Sequence, residues 1–318
     1  MKTLHMTAVV LALLGTFALL SARDADPASA GDPERSVLEV RATGPSSFEL
    51  SANEIPSGWT TVRLTNGSSV VHFAIVEKMP EVDGEQKTVE DSEEEVVPVF
   101  QNIMDDIRGL DPRFPEAGFE LPAWYEEVVF LGGPGLVSPG ETGEVTLDLE
   151  PGTYVIECYV KMPDGTFHST EGMVEGLTVT ESPSGGEPPA ADARVTVSFD
   201  GGIEMNGGLE AGRRTVEVVF TDQRAHEHFL GHDVHLVRLH EGPEGTDLDE
   251  LGAWMSWSAP DGLAEPAPTG MTFVGGTHEM PAGSTTYVTA ELEAGDYAWI
   301  AEIPDPAGKN MLVEFSVP

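Results

Sequence analysis

The chain has little positive charge. Its 318 residues include 16 Lys and Arg against 55 Asp and Glu, which gives a formal net charge of -39 at pH 7. Such a charge repels the phosphate backbone of nucleic acids and the headgroups of anionic membranes. We therefore expect no nucleic acid and no anionic membrane surface as a partner. The acidity favours general solvation of the surface over a field that steers a basic partner.

Long apolar runs are also scarce. The longest, over residues 7–20, follows an N-terminal lysine and precedes the small-residue sites LSA (20–22) and ASA (28–30). The run falls short of the ~20 apolar residues that a membrane-spanning helix needs, and its pattern is typical of a secretory signal peptide. We predict a signal peptide and flexible N-terminus over residues 1–30, no membrane insertion, and a mature protein that is exported to the periplasm or outside the cell.

Cysteine is nearly absent. Cys158 is the single cysteine of the chain, so an internal disulfide, the usual use of cysteine in an exported protein, is excluded. A lone cysteine is either a small buried hydrophobic residue or a thiol with a chemical task. The residues that surround Cys158 in the sequence decide between these two interpretations.

Short runs of β-branched and aromatic residues recur along the chain, separated by Gly, Pro, Asn and Asp. Examples are SVLEVRAT (36–43) and TTVRLTN (60–66). This spacing predicts a sandwich or barrel of short strands. The segment ESPSGGEPPAA (181–191) lacks an apolar period and predicts a linker. We therefore expect one domain over residues 36–180 and a second over residues 192–318.

The two predicted domains repeat the same sequence unit. Residues 130–154 align without a gap on residues 273–297, with Phe, Gly-Gly, Gly, Thr, Val-Thr, Leu-Glu, Gly and Tyr matching in place, and HFAIVEK (72–78) resembles DVHLVRL (233–239). Chance is a poor explanation for that density of matches. We expect two sandwiches of the same fold, with no sheet shared between them.

Each half also carries one insertion with helical periodicity. In the first, over residues 88–108, Thr88 and Asp91 have the spacing of a capping box. Apolar residues follow at helical spacing, namely Val97, Phe100, Ile103, Met104 and Ile107. A shorter equivalent covers residues 246–257. We expect helices only in these insertions, with their apolar stripes packed against the sandwich.

The end of the first domain carries the candidate chemistry. Its last loop has the pattern Cys-x9-His-x4-Met, formed by Cys158, His168 and Met173, and His72 follows the polar turn Asn-Gly-Ser-Ser (66–69) at a strand entrance. His72 and His168 are the only histidines between residues 36 and 180. Two imidazoles, one thiolate and a weak thioether suit both Cu(I) and Cu(II).

This arrangement resembles the cupredoxins, which hold type 1 copper with a distant first His and with Cys, His and Met in their last loop. The resemblance covers most of residues 36–180 and, more weakly, residues 192–318. It implies an all-β protein made of two tandem cupredoxin-like Greek-key β-sandwich domains with short helical insertions. It also implies one type 1 copper ion in the first domain, one-electron transfer or copper handling, and a redox partner protein. The implied ligands are His72, Cys158, His168 and Met173.

The sequence departs from the copper enzymes of this family. Glu157 precedes the cysteine, where copper nitrite reductases and multicopper oxidases have a histidine that connects to a second copper centre. This favours an electron carrier or binding protein over an enzyme. The second domain has Ala301, Pro306 and Met311 at the positions of the three loop ligands. It cannot hold type 1 copper, and we expect it to serve as a scaffold or docking surface.

Two alternatives stay open. The second domain contains a stretch of closely spaced histidines, His226, His228, His232, His235 and His240. His226 and His228 alternate, which can put two imidazoles on one strand face for Zn or Cu, but the stretch also reads as a polar loop and strand. The alternative to a copper protein is a metal-free sandwich that acts as an interaction or cell-envelope module. The oligomeric state is open.

Overall fold

The computed structural model describes residues 35–227, 231–240 and 245–318. The predicted signal peptide at residues 1–30 and His228 lie outside these ranges. The described residues form one compact unit that is built mainly from strands. None of the helices in the described ranges is long and apolar enough to cross a bilayer.

The first half of the chain is built from short strands whose side chains alternate between core and surface. In chain order they are β1 (Ser36–Gly44), β2 (Ser47–Leu50), β3 (Glu54–Asn66), β4 (Ile75–Lys78), β5 (Glu81–Val82), β6 (Glu85–Gln86), β7 (Val129–Phe130), β8 (Thr142–Leu149), β9 (Gly152–Glu157) and β10 (Val174–Pro183). In β1, Leu38, Val40 and Ala42 are buried while Glu39 and Arg41 are not. This period of two is what a strand with one buried face requires.

Strand β3 belongs to both sheets of the first sandwich. Residues 60–66 lie between β1 and β8, whereas residues 54–57 pair with β10, which continues through β9 and β4 to β7. The change of sheet occurs around Gly58, whose φ of +99° is in the region that glycine adopts without a steric penalty. A strand that switches sheets closes a corner of the sandwich.

The second half repeats this arrangement of strands. Its strands are β11 (Ala193–Ser198), β12 (Gly202–Asn206), β13 (Gly212–Phe220), β14 (Val234–Leu239), β15 (Met271–Thr277), β16 (Thr285–Leu292), β17 (Gly295–Ile300) and β18 (Leu312–Val317). They form the sheets β12-β11-β13-β16 and β15-β14-β17-β18. In both halves a parallel pair, β1 with β3 and β11 with β13, sits in one sheet. The predicted fold of two cupredoxin-like sandwiches is confirmed.

The same tyrosine contact recurs at the start of β9 and of β17. Tyr154 donates its hydroxyl hydrogen to the carbonyl oxygen of Glu150 at 2.7 Å, and Tyr297 donates to that of Glu293 at 3.0 Å. Both rings are fully buried. A buried tyrosine needs a partner for its hydroxyl group, and the tight turn before each strand provides one in both halves.

The two sandwiches are joined edge to edge, and the expectation that they share no sheet is wrong. Strand β8 pairs antiparallel with β16 through residues 144–146 and 287–289. Hydrogen bonding thereby connects 12 strands, ten of them in one continuous order, with β1 and β2 branching from β3. An unpaired edge strand exposes a row of backbone donors and acceptors, so each half satisfies the edge of the other. The predicted linker begins inside β10, which ends at Pro183.

The predicted insertions are helical, and among the described residues one further helix lies outside them. The first contains α1 (Val89–Asp91), a π-helical turn (Ser92–Val96) and α2 (Val97–Ile107), and the second contains α3 (Leu248–Trp254). The capping box is present, because Thr88 Oγ1 accepts from the Asp91 backbone and Asp91 Oδ2 accepts from the Thr88 backbone. A short 3₁₀ helix at Ala123–Glu127 was not predicted. It is a single tight turn after Pro122, too short to show a helical period.

A buried carboxylate sits between arginines of both halves. Glu144 on β8 accepts hydrogen bonds from Arg63 on β3 at 2.9 Å and from Arg213 on β13 at 2.5 Å, and only 7% of its side chain is exposed. Burial by itself would raise the pKa of Glu144, but the hydrogen bonds and charges of Arg213 and Arg63 outweigh it and hold that pKa below its usual value.

We expect Glu144→Gln to lower the free energy of unfolding at neutral pH by about 1–3 kcal/mol, since hydrogen bonds to a charged group are lost. A depressed folded-state pKa stabilises the protein above the unfolded-state pKa, and this contribution disappears as pH falls through the folded-state value. The difference between wild type and variant should therefore shrink in acid. Urea unfolding at neutral and acidic pH measures it.

Glu150→Gln is the matched control, because Glu150 pairs with Lys78 at 2.7 Å but 80% of its side chain is exposed. Exposed ion pairs contribute little to stability. Equal losses of stability in the two variants would contradict the proposed role of Glu144.

Candidate metal centre

His72 is fixed by the polar turn that follows β3. Asn66 anchors this turn by donating its side-chain amide to the carbonyl oxygens of Val70 at 2.7 Å and of Val137 at 2.8 Å. His72 then exchanges backbone hydrogen bonds with Val137, at 3.2 and 2.7 Å. The residue is therefore held on both sides, by the turn before it and by the segment that crosses beside it.

Cys158 is fixed by the hairpin formed by β9 and β10. It directly follows β9, and its backbone N–H donates to the carbonyl oxygen of Met173 at 3.1 Å. Within the loop, the N–H of His168 donates to Val160 at 2.8 Å, and that of Met173 donates to His168 at 2.9 Å. These bonds fold the loop back over the end of the hairpin.

Three of the four predicted ligands converge. The Sγ atom of Cys158 lies 3.7 Å from Nδ1 of His72 and 3.7 Å from Nδ1 of His168, and all three side chains are fully buried. The two imidazole ring centroids are 4.9 Å apart. Met173 is also fully buried and is tied to Cys158 and His168 through its backbone. The roles of these four residues as metal ligands stay a prediction.

The outer nitrogen of each imidazole has its own partner. Nε2 of His72 lies 2.8 Å from Oγ of Ser68, whose hydroxyl hydrogen is directed to Oδ1 of Asn66, and Nε2 of His168 lies 2.6 Å from a carboxylate oxygen of Glu265. We assign the ring hydrogens to these Nε2 atoms, because a carboxylate and an engaged hydroxyl accept. Both Nδ1 lone pairs then face Cys158, the tautomer that a metal ligand needs.

Burial sets the protonation states of the three groups. It lowers the pKa of His72 to about 4, and burial together with the His72 charge lowers the pKa of His168 to about 3, so both rings are neutral at pH 7. Burial raises the pKa of the Cys158 thiol to about 12. The thiol therefore keeps its proton unless a metal ion replaces it. Two neutral imidazoles and one thiol that a metal can deprotonate fit a His₂Cys type 1 copper site.

The second half of the chain covers this loop. Lys161 is fully buried, which lowers its pKa to about 7, and its Nζ donates to the carbonyl oxygens of Trp257 at 2.5 Å and Ala259 at 2.9 Å. The backbone of Lys161 also exchanges hydrogen bonds with Leu263 and Glu265, both at 2.8 Å. The second half thus contributes Glu265 directly to the candidate site.

Sequence reasoning missed Ser68 and Glu265. Ser68 lies in the polar turn that was used to find His72, so a search for an outer partner within that turn would have found it. Glu265 is 97 residues from His168, in the other half, and no local pattern marks it.

Beside Cys158, three carboxylates line a cavity of about 600 Å³. They are Glu77, Glu157 and Glu279, and aromatic side chains such as Tyr125 and Trp257 complete the lining. Burial raises the pKa of all three carboxyl groups above their usual value. Glu157, at the position where the copper enzymes that the sequence resembles have a histidine, thus lines an acidic cavity.

The corresponding loop of the second half lacks these ligands. The N–H of Ala301 donates to the carbonyl oxygen of Met311 at 2.9 Å, which repeats the backbone bond from Cys158 to Met173. The hairpin geometry is therefore kept while the thiol is replaced by a methyl group. Among the described histidines of the stretch 226–240, His232 contacts the Asp222 carbonyl oxygen at 2.9 Å and His240 contacts Thr272. The ring of His226 packs edge to face against that of His232, with 5.7 Å between the ring centroids.

Comparisons with known proteins give structural similarities only. No family model matches the chain, and no curated protein matches it. A solved auracyanin from Roseiflexus castenholzii is 23% identical over 46% of this chain and 98% of that one, with a TM-score of 0.27. Auracyanin A from Chloroflexus aurantiacus, described as a blue copper protein, is 22% identical over 46% of this chain and 100% of that one, with a TM-score of 0.26.

A copper nitrite reductase from Nitrosomonas europaea is similar along more of the chain. It is 13% identical over 90% of this chain and 94% of that one, with a TM-score of 0.23. At these TM-scores the similarities carry no functional argument. The cupredoxin-like character of each half rests on the strand pairing and, in the first half, also on the position of Cys158 directly after β9.

We expect the Cys158 thiol of the metal-free native protein to resist labelling by a thiol reagent at mildly alkaline pH. The thiolate is the reactive form, and the thiol is both fully buried and held protonated by its raised pKa. The same protein in denaturant should be labelled completely, which is the control. Rapid labelling of the native protein would contradict the burial described here.

Proposed function

We propose that the protein is an exported type 1 copper-binding protein that acts in one-electron transfer or copper handling. The observation that carries the proposal is the approach of two imidazole Nδ1 atoms to the Cys158 sulfur, each at 3.7 Å, in a fully buried cluster. Export rests on the N-terminal sequence, and a redox partner protein belongs to the proposal if the activity is electron transfer.

Each residue has a distinct part in this proposal. A copper ion supplies the change between Cu(I) and Cu(II), for which the sulfur and nitrogen donors are suited. His72 and His168 provide neutral nitrogen donors, and Cys158 gives up its proton to become the thiolate donor. Met173 is the proposed weak axial donor. Ser68 and Glu265 accept the outer ring hydrogens and thereby hold both rings in orientation.

The rigid surroundings favour electron transfer, because a site that keeps its geometry in both oxidation states has a small reorganisation cost. His72 is held in a backbone bridge, and the loop with Cys158 and His168 is pinned by hydrogen bonds to Met173 and to the second half. The second half is proposed as the cover of the site as well as a docking surface. The absence of a histidine before Cys158 favours a carrier or binding protein over an enzyme.

The visible spectrum of the mature protein with Cu(II) tests the proposal. We expect an intense band from thiolate-to-copper charge transfer in the wild type and in Met173→Leu, with a shifted reduction potential in the latter because the axial bond is weak. Cys158→Ser removes the thiolate but little volume, so it should abolish the band and keep the fold. A wild-type protein that binds no copper would instead favour the metal-free interaction module.

We expect Glu265→Ala to weaken copper binding by about 10- to 100-fold, the usual effect of removing an outer partner of a ligating histidine. Glu265→Gln should lose less, because its amide oxygen still accepts from His168. Competition with a coloured chelator measures the affinities. Glu250→Ala, at an exposed position of α3, is the surface control, and equal affinity in Glu265→Ala and Glu250→Ala would contradict the role of Glu265.

A further inference from the structure

A second group of buried side chains lies where three strands of the second half end side by side. Asp233 precedes β14, His235 lies on β14, His278 follows β15 and Glu302 lies two residues after β17. Strand β14 pairs with β15 on one side and with β17 on the other, which brings these chain positions together. All four side chains are buried, and one nitrogen or oxygen atom of each lies within 4.8 Å of the others.

Two members of this group have buried polar atoms without a partner. Neither Nδ1 nor Nε2 of His278 makes a hydrogen bond to the described residues, and neither does Oε1 of Glu302. The His278 ring packs against Phe73 with 4.3 Å between ring centroids. A buried polar group without a partner costs about 1–3 kcal/mol. Such groups in native proteins call for an explanation such as a bound ion or an ordered water molecule.

The two carboxyl groups of the cluster also lack a lysine or arginine partner among the described residues. Both Asp233 and Glu302 are buried. The buried Nζ of Lys161 is directed to backbone carbonyl oxygens instead. Buried carboxylates are normally paired or coordinate a metal. A divalent cation would balance the charge of Asp233 and stabilise the ionised form of Glu302, whose pKa burial raises well above its usual value.

His235 is a positioning residue and not a ligand. Its Nδ1 accepts a hydrogen bond from the backbone N–H of Leu136 in the first half, at 3.0 Å. The ring hydrogen is therefore on Nε2, which donates to Oδ2 of Asp233 at 2.9 Å. Neither nitrogen has a lone pair free for a metal ion. The close approach of the two segments depends on Gly135, where a Cβ atom would lie 2.8 Å from His235 Nδ1.

The two carboxylates also have outer partners that fix them. Oδ1 of Asp233 accepts from the backbone N–H of Glu302 at 2.7 Å. Oε2 of Glu302 accepts from the hydroxyl group of Tyr159 at 3.3 Å. Oε1 of Glu302 and both nitrogens of His278 are left to bind an ion, and each oxygen of Asp233 keeps a second lone pair beside the one that accepts its hydrogen bond. Such outer hydrogen bonds are the usual support of metal ligands.

We infer that Asp233, His278 and Glu302 form a second metal site that binds one divalent first-row transition-metal ion. One imidazole and two carboxylates suit Zn²⁺, Mn²⁺ or Fe²⁺ and offer no sulfur to Cu(I). Three protein ligands leave at least one coordination position for water or another small molecule. None of these residues belongs to the proposed copper site, so this inference does not rest on the proposed function.

Metal titration of the mature Cys158→Ser protein tests the site, because this background lacks the copper-site thiolate. With Zn²⁺ and with Co²⁺ we expect one ion per chain and a higher unfolding temperature, since an ion that binds the native state stabilises it. His278→Ala in this background should weaken binding at least about 100-fold, more than the loss of an outer partner. His240→Ala, outside the cluster, is the matched control and should bind as tightly as the background.

Glu302→Gln provides an independent test that keeps the size of the side chain, in case His278→Ala does not fold. It should also lose the metal-dependent rise in unfolding temperature. Uptake of neither ion by the Cys158→Ser protein would overturn the inference. Unchanged affinity in Glu302→Gln, or in a folded His278→Ala, would do the same.

The role of His235 is tested with the Co²⁺ spectrum. His235→Gln should weaken Co²⁺ binding about 10-fold, as expected for an outer partner. The spectrum of the saturated protein should keep its shape, because the three ligands are unchanged. A changed spectrum would mean that His235 itself binds the ion, and the three-ligand assignment would be wrong.

Discussion

The pairing of β8 with β16 fixes the position of one sandwich against the other, and both candidate sites depend on it. With these edges joined, β15 of the second half runs beside the segment 132–138 of the first half, where backbone bonds link Gly135 to Gly276 and Leu136 to Gly275. The same register lets the segment 257–265 cover the loop after Cys158. The ion pairs of Glu144 with Arg63 in the first half and with Arg213 in the second half stabilise this pairing of β8 with β16.

The side chains of both candidate sites are buried, but the two sites differ in their donor atoms. The first half has two neutral imidazoles around a thiol, which are soft and intermediate donors for copper. The second half has two carboxylates and an imidazole, which are harder donors. Asp233 stands where the repeat alignment has His72, and Glu302 is next to Ala301, which replaces Cys158. The second half has thus exchanged one donor set for another around the same strand ends.

The sequence predicts what is local and misses what crosses between the halves. The fold, the capping box at Thr88 and the loop from Cys158 to Met173 follow from short patterns, because strand alternation and turn residues act over a few positions. His72 was found from the polar turn before it. Glu265, His278 and Glu302 were not found, since their partners are distant in sequence and belong to other strands. The histidine stretch 226–240 includes His235, but the partners of His235 are Asp233 and the backbone of Leu136 and not other histidines of the stretch.

The buried side chain of Lys161 should slow the exchange of a metal ion at Cys158. It ties the loop between Cys158 and His168 to carbonyl oxygens of the second half, and all three converging ligands are closed to solvent. An ion can reach or leave these buried ligands only when the surrounding loop or its cover moves. The lifetime of a bound ion should then depend on how often these hydrogen bonds break, more than on the strength of a chelator in solution.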